Sequence, residues 1–177
     1  MKKFNHYSDS ATYWENLVGF VDDRVKENPN DKFRISLSGG SSANVLDHLF
    51  ESESLAGIRE KVEFYQVDDR YVSPDDKDSN QLLINSKIAA DDRLICFDTS
   101  LEIKKCVQKY ENDLLLDEDG YLFDLTILGV GPDGHVASLF PQASRPDGVD
   151  QIIDLSEDGL TASAQTSRFA GLDRLTL

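Results

Sequence analysis

The segment Phe33-Arg34-Ile35-Ser36-Leu37-Ser38-Gly39-Gly40-Ser41-Ser42 decides how this chain is read. Its first five residues alternate apolar and polar with period two, the mark of a strand, and its last five make a small glycine-containing loop. Beyond the loop, Val45, Leu46, Leu49 and Phe50 recur at helical spacing. Strand, glycine loop and helix thus follow one another, and the unit repeats. Val62–Val67 reads as a second strand and Asp68–Lys77 as a polar loop, after which Ser79 or Asp78 caps a helix carrying Leu82, Leu83, Ile84 and Ile88. Arg93–Phe97 reads as a third strand and Leu101–Leu116 as a third helix. Phe123–Leu128 reads as a fourth strand, apolar enough for the middle of a sheet covered on both faces. Upstream, Ala11, Trp14, Leu17, Val18, Val21 and Val25 mark an amphipathic helix that Asn28-Pro29-Asn30 ends.

Strands alternating with helices of this length predict right-handed crossovers. The expected fold is α/β, a doubly wound, mostly parallel, Rossmann-like sheet with helices on both faces. Such sheets bind ligands at the carboxyl ends of their strands. The loops Ser38–Ser42, Asp68–Lys77 and Gly129–His135 each follow a strand, so they are expected to meet at one edge. The length of 177 residues suits one domain spanning 1–177, and no repeat, low-complexity tract or linker divides it.

Charge narrows the function. With 18 basic and 33 acidic residues the net charge is −15, which repels a phosphate backbone and leaves no basic stripe, so nucleic acid is not an expected partner. A pocket for a small anion must therefore supply its own cations and backbone N–H groups. No apolar run is long enough to span a membrane, and the chain turns polar at Asn5 to Asp9 before any signal-peptide stretch appears. The expectation is a cytoplasmic protein without membrane partners, monomeric or a weak homodimer. Cys96 and Cys106 make neither a disulfide framework nor a metal set, and buried reduced thiols are expected.

The loop Ser38–Ser42 suits a phosphate, since free N–H groups favour an anion there and glycine permits close approach. A tight turn with a serine cap fits the same residues. It lacks the Gly-Lys-Ser/Thr end of a nucleoside-triphosphate loop. Gly129-Val130-Gly131-Pro132-Asp133-Gly134 matches G-x-G-x-x-G, with Asp154 standing 20 residues beyond Gly134, so a dinucleotide is a rival ligand. Against it, Asp133 would set a carboxylate beside the pyrophosphate, and Pro141 cuts short the helix that should receive it. The same loop ends in Asp133-Gly134-His135, a carboxylate and an imidazole able to take a proton from water at neutral pH. His6 and His48 have no such neighbours and read as surface residues. The Asp68-Asp69-Arg70 cluster is either a solvated surface or a source of a carboxylate and a phosphate-binding guanidinium.

Three segments together resemble the signatures of the 6-phosphogluconolactonases, in that family's order. They are Ser38–Ser42; Val67–Val72 with Asp75–Asn80; and Gly129–Pro141. The related glucosamine-6-phosphate isomerases/deaminases share the fold and the Asp-Gly-His. Their pattern has tyrosine where this chain has Arg70 and glutamate where it has Phe140, so both positions favour the lactonase. Family members continue beyond the point matching Arg174–Leu177 with a helix, a strand and a closing helix, elements this sequence is expected to lack.

The resemblance implies hydrolysis of 6-phosphogluconolactone to 6-phosphogluconate with no metal or organic cofactor. It makes His135 the base that activates water, Asp133 the residue that orients the ring or the substrate, and Arg70 or the Gly129–Gly134 backbone the oxyanion donor. Gly39, Gly40, Ser41 and Ser42 would hold the phosphate, joined by Asp68, Gly131 and Arg168 in the substrate site. An isomerase would instead use Asp68 as its base. A third reading is a sugar-phosphate-binding protein that does not turn over.

Overall fold

The computed structural model describes residues 5–52, 56, 59–88, 93–114 and 123–137, together with the backbone of 153–156 and 159–162. Its centre is a parallel sheet built from β1 (Phe33–Leu37), β2 (Val62–Gln66), β4 (Arg93–Ile95) and β5 (Leu125–Ile127), in the order β4-β2-β1-β5. Ile35 of β1 pairs with Phe64 of β2 on one side and Leu125 of β5 on the other. Passing from β1 to β2 to β4 moves the chain one way across the sheet, while β5 returns to the far side of β1. The order therefore reverses between β1 and β5, where an open α/β sheet leaves a crevice at the carboxyl ends of its strands.

The two faces of the sheet carry separate cores because alternate residues of a strand point opposite ways. On one face Phe33, Ile35, Leu37, Val62, Phe64, Leu125 and Ile127 pack with Leu17, Val21 and Val25 of α1 (Ser10–Glu27) and Val45, Leu46 and Leu49 of α2 (Val45–Glu51). Ile84, from the short α3 (Asn80–Asn85), joins them. On the other face Tyr65 of β2 and Ile95 of β4 pack with Phe97 and with Cys106 and Tyr110 of α4 (Ile103–Asp113). The helices thus lie on both faces, and the fold is the doubly wound α/β sheet that the alternating pattern predicts.

Local physics moves some boundaries. Asp9 caps α1 by accepting the Thr12 N–H at 2.8 Å. Ser79, not Asp78, caps α3, its Oγ accepting from the Leu82 N–H. Helix α4 begins at Ile103 rather than Leu101, because the Leu101 N–H closes a turn onto the Asp98 carbonyl at 3.1 Å. After β1 the helix does not start at once: a 3₁₀ turn over Gly40–Asn44 precedes α2. His48, expected at the surface, is half-buried and stacked on Trp14 with ring centroids 4.7 Å apart. The two-residue strand β3 (Asp68–Asp69) pairs antiparallel with β7 (Gly159–Ala162), which pairs in turn with β6 (Ile153–Ser156). Among the described residues no helix is long and apolar enough to cross a membrane.

Candidate active site

The glycine loop leaves β1 and touches both of its neighbours. Toward β5 it is stitched by hydrogen bonds that run in one direction. The Gly129 N–H donates to Ser38 Oγ, Ser38 and Ser42 hydroxyls lie 2.9 Å apart, and Ser42 Oγ donates to the Gly39 carbonyl at 2.8 Å. A hydroxyl has one hydrogen, so Ser38 must donate to Ser42. The Ser42 hydrogen is thereby committed inside the loop, whereas Gly40 and Ser41 are exposed at its lip.

Toward β2 the contact is Asn80, the first residue of α3. A Cβ at Gly39 would overlap the Asn80 amide group, so only glycine lets the loop pass this close. Asn80 is 4% exposed, and its Nδ2 donates to the Asp68 carbonyl at 3.1 Å. Its Oδ1 accepts from Arg70 Nη1 at 3.2 Å, and the same Nη1 donates to the Asp78 carbonyl at 2.8 Å. Beneath them Asp69, fully buried, receives five donors: Gln66 Nε2, Ser79 Oγ and the N–H groups of Arg70, Asn80 and Gln81. Of the three charged residues 68–70, Arg70 is exposed, while Asp68 is buried at 5% exposure on β3.

The third loop folds on itself after β5. The Gly131 N–H donates to the His135 carbonyl at 2.8 Å and the Gly134 N–H to the Gly131 carbonyl at 2.9 Å. Asp133 Oδ1 sits 2.5 Å from His135 Nδ1 and also accepts the His135 backbone N–H at 3.2 Å. These two hydrogen bonds hold the Asp133 carboxyl below the usual carboxylate value. An ionised carboxylate only accepts, so Nδ1 carries the hydrogen and the ring's lone pair is on Nε2. A Cβ at Gly131 would overlap the His135 ring and lie 2.8 Å from Asp133 Oδ1. The missing side chain of Gly131 therefore makes room for an imidazole rather than a pyrophosphate. Its amide, which a dinucleotide site would offer to the ligand, is turned into the loop.

The family description glucosamine-6-phosphate isomerases/6-phosphogluconolactonase matches residues 8–177. The chain belongs to this family. It is 33% identical over 178 residues to a probable 6-phosphogluconolactonase of Dictyostelium discoideum, an alignment covering 95% of this chain and 72% of that protein. It is 32% identical over 137 residues to the 6-phosphogluconolactonase of Thermotoga maritima, covering 71% of this chain and 60% of that one. The crystal structure of 6-phosphogluconolactonase from Thermotoga maritima superposes with a TM-score of 0.70 at 28% identity, over 85% of this chain and 73% of that chain.

Within this family fold the glycine loop Ser38–Ser42 touches Gly129, the first residue of the loop Gly129–His135, on one side and Asn80, three residues beyond the loop Asp68–Lys77, on the other. Arg168 and Phe140 lie outside the described residues. Reading the sequence missed the roles of Asp69 and Asn80. The signal available was a serine cap at the head of a helix; nothing local says that a carboxylate ten residues earlier binds the same helix end.

Proposed function

We propose that this chain hydrolyses 6-phosphogluconolactone to 6-phosphogluconate, a cytoplasmic reaction on a small sugar phosphate. The observation that carries the proposal is the Asp133–His135 pair, held 2.5 Å apart on the loop that follows β5, whose first residue, Gly129, bonds to the glycine loop. The similarity to 6-phosphogluconolactonases supports the substrate class.

In the reaction, Asp133 fixes the tautomer and orientation of His135, whose Nε2 takes a proton from water as the water oxygen bonds to the lactone carbonyl carbon. The tetrahedral oxyanion needs donors. Gly129, Gly131 and Gly134 already spend their N–H groups on Ser38, His135 and Gly131, and Pro132 has none. That leaves the Val130 and Asp133 amides of this loop as backbone donors, and the Arg70 guanidinium serves the oxyanion with them or holds the phosphate beside it. Collapse of the intermediate breaks the ring C–O bond, and the proton held by His135 passes to the departing oxygen. Water, substrate and side chains account for every bond and proton in this sequence. The amides of Gly39, Gly40 and Ser41 and the hydroxyl of Ser41 receive the phosphate, Ser42 braces the loop, and Asp68 and Arg168 complete the site.

The test is lactone hydrolysis above the spontaneous rate, compared with His135→Ala, which should lose about 10²–10⁴-fold in kcat. The same preparations are offered glucosamine 6-phosphate. If the unmodified chain deaminates that sugar, Asp68→Asn abolishes the deamination, and lactone disappears only at the spontaneous rate, the isomerase reading replaces the lactonase.

A further inference from the structure

We propose that Asn80 is a positioning residue which sets the Arg70 guanidinium against the glycine loop. Arg70 is exposed and long, and an arginine in that state loses much of its rotamer freedom when it must meet a substrate in one geometry. Two acceptors restrain it, both at Nη1. The Asp78 carbonyl, at 2.8 Å, belongs to the same loop as Arg70 and ties the side chain only to its own segment. Asn80 Oδ1, at 3.2 Å, is different, because the Asn80 amide group is also what Gly39 packs upon. One buried amide thus touches the backbone of the glycine loop and the guanidinium together.

Asn80 is itself fixed from three directions. Its backbone N–H is bound by Asp69 Oδ1 at 2.7 Å, its Nδ2 by the Asp68 carbonyl at 3.1 Å, and its amide group by the Gly39 backbone. The bond to Asp68 also sets the amide's orientation, since the end that donates to a carbonyl is nitrogen and the end facing Arg70 is therefore oxygen. Among the described residues Arg70 Nη2 and Nε make no hydrogen bond, so the fork keeps donors to offer a bound oxygen. The geometry gives the first residue of α3 a task in the site without any contact to substrate.

The kinetic arm of the test rests on the lactonase reading; a second arm does not. In kinetics, Asn80→Ala should lower kcat/KM about tenfold and move the same parameter, kcat or KM, that Arg70→Ala moves. In an Arg70→Ala background it should change nothing beyond twofold, because its effect runs through the guanidinium. Independently of turnover, the Arg70 Nε–Hε resonance, assigned with Arg70→Lys, should report an ordered side chain in the unmodified protein and a mobile one in Asn80→Ala. Asn80→Ser, too short to reach Arg70 but polar and well placed at a helix start, repeats both measurements if the alanine variant folds poorly. The proposal is overturned if Arg70 stays ordered in these variants, or if the losses from Asn80→Ala and Arg70→Ala multiply. Absence of lactonase activity in the unmodified chain would remove the functional reading and leave the resonance to decide on Asn80.

Discussion

Replacing Gly131 by alanine asks whether the third loop exists to aim His135. A Cβ at this position overlaps His135 Cε1 and Nδ1 and stands 2.8 Å from Asp133 Oδ1. Non-bonded carbon atoms settle at about 3.5–4.0 Å, so the ring must retreat by more than ~1 Å and the carboxylate by at least ~0.5 Å. Both obstacles are side chains in a partly exposed loop, which can yield at little energetic cost. Stability should therefore hold, with a melting temperature changed by no more than ~2 °C, in keeping with substitutions away from the core. Catalysis should not hold, since a misplacement of ~1 Å can cost about 10²-fold. The expected result is a kcat about 10²-fold down with KM within about threefold, because the proposed phosphate donors sit on the other loops. The assay is lactone hydrolysis corrected for the spontaneous rate, run beside His135→Ala and the double variant. If the alanine acts through the ring, it adds nothing once the ring is gone. A Gly131→Ala enzyme that keeps more than about a third of kcat, or that loses as much activity in the His135→Ala background as in the native one, would refute the reasoning.

Asp133→Asn keeps the volume but not the charge that selects the tautomer, and should cost kcat about 10–10²-fold with little change in KM. Because the hydrogen bonds from His135 lower the Asp133 pKa, this carboxyl is already ionised well below neutrality. Any inflection of kcat/KM between about pH 5 and 8 should then persist in Asp133→Asn, and its disappearance would contradict the assignment. Asp69→Asn faces an amide toward donors that now converge on a carboxylate, and should lower the unfolding free energy by about 3 kcal/mol in urea titrations. A change below ~0.5 kcal/mol would show that the five hydrogen bonds are not a structural centre. Burial pushes the Cys96 thiol up to about 11 from 9.0, leaving far less thiolate at pH 8. Its reaction with a disulfide reagent should be about 10²-fold slower in the folded protein than in denaturant, and equal rates would disprove it.

What the sequence settled by itself is everything that short-range pattern carries. Period two in Phe33–Leu37 and helical spacing in α1 and α2 are local, because the side chains on one face of an element are a few residues apart. The alternation of strands and helices then allowed essentially one hand of crossover, so the parallel sheet and the meeting of three strand-end loops followed. The Asp133–His135 pair was legible for the same reason, its two members being two residues apart. Only the tertiary structure decided which residues of those loops touch. That Gly39 must be glycine because Asn80 fills its side, that Ser38 takes the Gly129 N–H, and that Asp69 gathers Ser79, Asn80 and Gln81 are contacts between segments ten to some ninety residues apart. The pairing of β3 with Gly159–Ala162 spans some ninety residues. Such contacts leave no periodicity in the chain, because a hydrogen bond or a close approach depends on where the sheet places two ends in space and not on the residues between them.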